Sequence, residues 1–245
     1  MASIPYSGTP DNGLYLVYKP QGWTSFDLVK FLHGCLSRRY DKRVKVGHAG
    51  TLDPLAEGLM ILASGNQTKR LAEWIADKKK YLAKLKLGET TASHDRETPV
   101  EKIQPLPPIS LQELDQRLDA FRGKINQTPP LFSAVKVKGQ RAYDLARAGK
   151  KAELTPRVVE IYDLNILRWE PPFLTLSIYC SKGTYIRSLT RDIGDALGTG
   201  AVLEYLLRTH SGNFSLEDAV TLDELKAFCS EGNGTSVSLH NEERL

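Results

Sequence analysis

Asp53 lies in the run Gly47-His48-Ala49-Gly50-Thr51-Leu52-Asp53-Pro54. Pro54 disfavours right-handed helical geometry at Asp53, and Gly47 and Gly50 permit tight turns, so this loop can present a short carboxylate rigidly. Such a carboxylate can act as a nucleophile or a general base, although Asp-Pro is equally a common turn dipeptide. Arg187 falls in the first turn of an expected helix, where a cation opposes the helix macrodipole by about 0.3–1 kcal/mol. A carboxylate partner would account for it. Tyr81 points to the apolar side of an expected strand, the position of a core aromatic. His48 can serve as a switch, a ligand or a stacking group. The five histidines show no HxxxH or HExxH spacing, so no metal is expected. No GxGxxG or P-loop appears either.

The elements that would position these residues follow from periodicity and punctuation. A strand over Leu14–Lys19 stops at Pro20 and Gly22. Thr24 or Ser25 then caps a helix carrying Leu28, Val29, Leu32, Cys35 and Leu36 at helical spacing. The Gly47–Pro54 stretch is too glycine-rich for a helix and leads into a buried strand over Leu59–Ala63. A helix over Lys69–Ala76 precedes a strand at Tyr81–Leu87, with Tyr81, Ala83, Leu85 and Leu87 on one face and Lys84 and Lys86 on the other. The capping box Ser110-x-x-Glu113 opens a third helix, with Leu111, Leu114, Leu118 and Phe121 as its stripe and Gly123 after it. Gln127–Gly149 reads as an excursion, with Pro129-Pro130, a hairpin around Lys138-Gly139 and a short helix ending at Gly149. Strands at Val158–Leu167 and Leu174–Cys180 precede a helix striped by Ile186, Leu189, Ile193 and Leu197 and closed by Gly198. A last helix starts at the box Thr221-x-x-Glu224. Strands and helices mix without strict βαβ alternation, so the fold class is mixed α/β, not a doubly wound parallel sheet.

The 245 residues are 41% hydrophobic and 25% charged, which excludes a disordered or collagenous chain. No apolar run approaches the roughly 20 residues of a membrane span, and the N-terminus lacks a secretory pattern. Three cysteines, odd in number and far apart, fit a reducing compartment without a disulfide framework, so a cytoplasmic location is expected. The net charge of +4 is unevenly spread: residues 1–200 hold 30 basic and 21 acidic side chains, residues 201–245 hold 3 and 8. Basic residues cluster at Lys30–His48 and again at Arg122–Lys151, which suggests a polyanionic partner, with solvated helix faces as the alternative.

Five segments in one order carry a resemblance: Lys19-Pro20-x-Gly22-x-Thr24-Ser25, the Gly47–Pro54 run continuing to Ala56 and Gly58, Lys80-Tyr81, Gln127-x-Pro129-Pro130-x-x-Ser133-Ala134-x-Lys136, and Ser181-Lys182-Gly183-Thr184-Tyr185-Ile186-Arg187. Together they resemble the TruB family of pseudouridine synthases over residues 13–225. The resemblance implies a pseudouridine synthase fold with a mixed, largely antiparallel central sheet flanked by helices. It implies one catalytic domain over 1–228, a thumb-like RNA-binding insertion at about 125–150 and a disordered tail at 229–245. The implied substrate is the T-loop uridine at tRNA position 55, converted by a monomer without cofactor or obligatory protein partner. Asp53 would be the catalytic carboxylate, Arg187 its partner and Tyr81 the aromatic beside the target base, which can also help C5 lose its proton. His48 would intrude into the T-loop and stack, and Tyr185 and Leu206 would line the uridine pocket.

These residue types suit the reaction. Moving uracil from an N1 to a C5 glycosidic link breaks a bond at C1′, where a carboxylate can attack the sugar or remove its C2′ proton. Water must be excluded, and Arg187 would offset the desolvation of Asp53. Departures from the family pattern are Leu206-Leu207-Arg208-Thr209 where many members read Leu-Arg-Arg-Thr, the stretch Thr90–Asp95, and a C-terminus too short for an appended PUA domain. The competing readings are an RNA-binding or tRNA-folding factor with secondary catalysis, and an isomerase acting on another RNA.

Overall fold

The computed structural model describes residues 4–75, 78–133, 135–137, 139–142 and 154–231. Its strands are β1 (Ser7–Thr9), β2 (Asn12–Lys19), β3 (Val46–Ala49), β4 (Glu57–Ser64), β5 (Lys79–Leu87), β6 (Glu89–Thr91), β7 (Val100–Ile103), β8 (Gly123–Gln127), β9 (Lys136–Val137), β10 (Gln140–Arg141), β11 (Arg157–Glu170), β12 (Phe173–Cys180), β13 (Ala201–Ser211) and β14 (Phe214–Ser215). The described helices are α1 (Ser25–Arg39), α2 (Leu71–Ile75), α3 (Leu111–Leu118), α4 (Ile186–Leu197) and α5 (Leu222–Ser230). One sheet dominates, ordered β1-β2-β4-β13-β5-β12-β11-β8, with β3 also on β4 and β14 also on β13. All its pairings are antiparallel except β13 with β4. The expected mixed, largely antiparallel sheet is therefore present.

Local chemistry explains the ends of the elements. Thr24, Ser110 and Thr221 each close a full capping box with the acidic residue three places on. Gly198 ends α4 in a left-handed conformation, φ +72°. One face of the sheet is covered by α1, α3, α4 and α5 over a core that runs from Val17 and Leu32 through Leu85 to Ile178 and Ile193. Burying a side chain such as Leu189 or Ile193 there contributes about 1.5–3 kcal/mol. On the other face, Leu71, Trp74, Phe214 and Leu216 cover β2 and β4. β2 is consequently buried on both sides, so the alternation expected at Leu14–Lys19 does not separate inside from outside. β12 keeps its alternation, burying Leu174, Leu176, Ile178 and Cys180 on one face only.

Several expectations change. β13, the strand joining the two halves of the sheet, was not expected. Neither were β6 and β7, which pair with each other. The expected helix at Lys69–Ala76 begins as a 3-10 turn at Gly65–Arg70 and continues as α2, with Ala76 outside the described residues. The hairpin expected around Lys138-Gly139 is formed by β9 and β10. The short helix ending at Gly149 lies outside the described residues. α5 runs through Ser230, past the expected domain end at 228, and residues 232–245 of the expected tail are also outside. The expectation of unpaired cysteines is overturned: Cys35 on α1 and Cys229 on α5 form a disulfide, their Cα atoms 5.4 Å apart, and Cys180 is free and buried. Distance along the sequence misled here, because α1 and α5 pack together and Arg39 holds the Phe228 carbonyl at 3.2 Å.

Alkylation of denatured but unreduced protein should therefore label one thiol of three; labelling of all three would show that the bridge does not form. Reduction should lower the melting temperature by roughly 5–15 °C, since a bridge closing so long a loop contributes about 2–4 kcal/mol.

Candidate active site

The Asp53 loop is held by the segment that starts at the end of β2. Ser25 Oγ accepts from the Leu52 amide and donates to the Leu52 carbonyl, both at 2.8 Å. On the other side of Asp53, the Pro54 carbonyl accepts from the Gly22 amide at 2.8 Å and from Lys19 Nζ at 3.3 Å. Lys19 is fully buried, and its ammonium also donates to the carbonyls of Trp23 and Pro20 at 2.6 and 3.0 Å. Burial pulls its pKa down to about 8 against the opposing pull of Asp53. The Lys19–Ser25 stretch is thus a clamp on both residues that flank the carboxylate.

Arg187 arrives from the other half of the sheet. Gln127 at the end of β8 is buried, and its amide accepts from the Tyr185 backbone N–H at 2.8 Å and donates to the Tyr185 carbonyl at 3.1 Å, fixing the entry into α4. Arg187 Nε then lies 2.9 Å from Asp53 Oδ2 and 3.6 Å from Asp95 Oδ2. Its Nη1 donates to the Ser93 carbonyl at 3.3 Å and its Nη2 to the Phe132 carbonyl at 2.8 Å. The guanidinium side chain is 4% exposed while the Asp53 side chain is 39% exposed, so water reaches the carboxylate but not its counter-ion. The carboxylates supply the partner that a cation in the first turn of α4 requires.

Asp95 is buried and was not anticipated as a site residue; it follows a left-handed turn at His94, φ +63°. Thr91 Oγ1 donates to the Asp95 carbonyl at 2.7 Å, and the Leu203 amide donates to the His94 carbonyl at 2.9 Å, tying this turn to β13. Burial, with Arg191 and Arg187 nearby, lowers the His94 pKa to about 4, so that ring is neutral at pH 7. Asp53, Asp95, Arg187, Leu203 and Leu206 line one narrow cleft. Burial raises the Asp53 pKa above its ordinary 3.8, Arg187 opposes that rise, and the Asp95 charge adds to it.

Tyr81 packs against the main core, and burial pushes its phenol up to about 12 against the pull of Arg208, its register partner on β13. Burial likewise raises the Tyr185 pKa, and Tyr185 also feels Asp53. His48 sits on β3, and burial followed by the Arg208 charge lowers its pKa from 6.5, leaving a neutral ring at pH 7. The cleft therefore unites Asp53, Arg187 and Leu206, with Tyr81 and Tyr185 in electrostatic range of Asp53, and His48 adjoins Arg208.

This arrangement has relatives. The family model "TruB family pseudouridylate synthase (N terminal domain)" matches residues 38–186, and "tRNA pseudouridylate synthase B C-terminal domain" matches 187–240. The chain belongs to the TruB family. A TruB relative from Parabacteroides distasonis, named tRNA pseudouridine synthase B, is 47% identical over 214 residues, 87% of this chain and 91% of that one. One of the same name from Clostridium tetani is 42% identical over 214 residues, 87% of this chain and 72% of that one. Among solved structures, a chain of a Cbf5-Nop10-Gar1 complex aligns with TM-score 0.68 at 28% identity over 89% of this chain. The match spans about half of that longer chain, 55%. Within the TruB frame, Asp95, Lys19, Gln127 and Arg208 are the site residues that sequence reasoning assigned no role.

The signs of the couplings to Asp53 give a pH test. A rate that needs the Asp53 carboxylate should rise with pH on an acid limb displaced above 3.8. Arg187→Met should move that limb upward, since Arg187 stabilises the charged form. Asp95→Asn should move it downward. Shifts in the same direction would exclude this electrostatic arrangement. Ser25→Ala, which orphans the Leu52 amide and carbonyl, should cost about 1–3 kcal/mol of stability in chemical denaturation.

Proposed function

We propose that this TruB chain converts the T-loop uridine at tRNA position 55 to pseudouridine, with Asp53 as the catalytic carboxylate. The observation that carries the reading is the 2.9 Å pair of a water-accessible Asp53 with a buried Arg187 in a cleft lined by Leu206. Arg187 holds one carboxylate oxygen and fixes its direction, so the carboxylate meets the sugar of an extruded nucleotide without reorganising. It attacks C1′ or removes the C2′ proton, and the uracil detaches. The face of Tyr81 keeps the ring in place while it turns to offer C5. Tyr185 and Leu206 close the pocket around the base. The neutral His48 ring, on the loop that leads to Asp53, fills the space vacated in the T-loop and offsets part of the few kcal/mol that extrusion costs. These residues do the work with side-chain chemistry alone, and the monomer recognises the T-arm stem and loop.

Charge supports RNA as the partner. Lys30, Arg38, Arg43 and Lys45 of the first basic cluster are exposed. In the second cluster, Arg122 is engaged with Asp115 and Asp119, Lys124 is exposed, and most of the remainder lies outside the described residues. Among the described residues no helix is long and apolar enough to cross a membrane. A tRNA substrate supports the expected cytoplasmic location, and the Cys35–Cys229 bridge counts against it. The names of the sequence relatives favour tRNA over an RNA presented by a protein–RNA assembly.

Tritium release from C5-labelled uridine, in an unmodified tRNA transcript and in its isolated T-arm hairpin, tests the reading. Both RNAs should release tritium and yield pseudouridine. Asp53→Asn should abolish release while binding RNA within a few fold of the parent. A variant that still turns over would end the assignment of Asp53, and tight binding without release in the parent would favour the RNA-binding factor. Raising salt should weaken binding through counterion release.

A further inference from the structure

Arg208 is the largest fully buried side chain in the described protein, 1% exposed. Its Nε donates to the Leu59 carbonyl at 2.8 Å, and its Nη2 donates to the Gly50 carbonyl at 3.2 Å and lies 3.1 Å from Met60 Sδ. The guanidinium and the phenol of Tyr81, its register partner on β5, lie close enough for each to shift the other's pKa. It thereby links the Asp53 loop, β4 and β5. Gly58 makes this possible: its φ is +108°, and a Cβ there would stand 2.3 Å from the Arg208 carbonyl oxygen. Only glycine lets β4 approach β13 this closely at that point.

Of the buried cations among the described residues, Arg187, Lys19 and Arg208 differ in what faces them. Arg187 is paired with Asp53 and Asp95, and Lys19 feels Asp53 and Glu57. Among the described residues no carboxylate pairs with Arg208, and its register partner is the neutral phenol of Tyr81. A guanidinium does not lose its proton in a protein, so the positive charge persists. Burying a cation without a counter-ion costs several kcal/mol in general. Bonds to two carbonyls use two of its five N–H hydrogens and leave its charge unmatched. An unmatched buried charge beside a reacting ring suits a reaction in which opposite charge appears there.

The proposed reaction creates such a charge. When C1′–N1 breaks, the bonding pair stays with the ring and gives a uracil anion. Bond formation from C5 to C1′ consumes that charge, and the proton lost from C5 is balanced by one gained at N1. We propose that Arg208 is a positioning residue which, through Tyr81, holds the detached uracil and supplies the positive potential that stabilises its negative charge before C5 attacks. The inference rests on the isomerase reading. It adds a role for a side chain that does not touch the substrate.

Substitution at C5 separates this role from a merely structural one. Fluorine at C5 stabilises the uracil anion by induction, so an enzyme deprived of Arg208 should suffer less on a 5-fluorouridine T-arm than on the uridine T-arm. Single-turnover consumption of both RNAs should be measured for the parent, for the neutral Arg208→Met and Arg208→Gln, and for the charge-retaining Arg208→Lys. The neutral variants should lose about 100-fold on uridine and about 10-fold on 5-fluorouridine, with RNA affinity within about threefold of the parent. Arg208→Lys should be slower than the parent yet keep the parent's ratio of the two rates. Equal losses on both RNAs, a loss explained by weaker RNA binding, or a changed ratio in Arg208→Lys would overturn the proposal. Failure of both neutral variants to fold, read by circular dichroism, would likewise assign Arg208 to the framework alone. Absence of pseudouridine formation by the parent would instead remove the isomerase reading on which the proposal stands.

Discussion

A guanidinium that is 4% exposed must have its donors satisfied, and the site is organised around meeting that demand for Arg187. Its partners come from three stretches distant in sequence: Asp53 after β3, Ser93 and Asp95 after β6, and Phe132 beyond β8. Each must be in place for the others to be worth burying. Desolvation pushes the carboxylate toward its neutral form, and the cation it helps to bury opposes that push. Half-satisfied, such a cluster would be worse than an apolar core.

Around that pair the structure divides into holders. Lys19, Gly22 and Ser25 grip the backbone on either side of Asp53 and never reach the cleft themselves. Gln127 grips the backbone next to Arg187 with one amide group that both accepts and donates. These contacts fix main-chain atoms, which is why short motifs far from Asp53 in sequence carry residues of such definite type. A lysine with three carbonyl ligands and a buried glutamine with two are hydrogen-bonding solutions to a positioning problem, and they need no direct part in the chemistry.

How much of this could be read from the sequence depended on whether the signal was local. Capping boxes at Thr24, Ser110 and Thr221, the stripe of α4 and the alternation of β12 are local patterns, and each is present in the structure. The Asp53 loop was legible for the same reason, as was the need of Arg187 for a carboxylate. β13 was not: it is largely buried on both faces, and register shifts between Leu203 and Tyr205 and between Arg208 and His210 move its side chains out of the two-residue period. Arg208 was hidden with it, since nothing nearby in sequence announces that an arginine will be the largest fully buried side chain. Asp95 was unreadable because its partner lies on another element, and Cys35 with Cys229 because pairing depends on the packing of α1 against α5.

The place of β13 has a consequence for how the two parts of the sheet are joined. It runs parallel to β4 on one side and antiparallel to β5 on the other, and among the described residues it is the only strand the two share. Without residues 201–211, the part of the sheet built on β2, β3 and β4 has no edge in common with the part built on β5, β12, β11 and β8. Asp53 belongs to the first part, while Tyr81 and Arg187 belong to the second. Every contact between the strand that follows the Asp53 loop and the strand that carries Tyr81 therefore passes, within the described sheet, through β13.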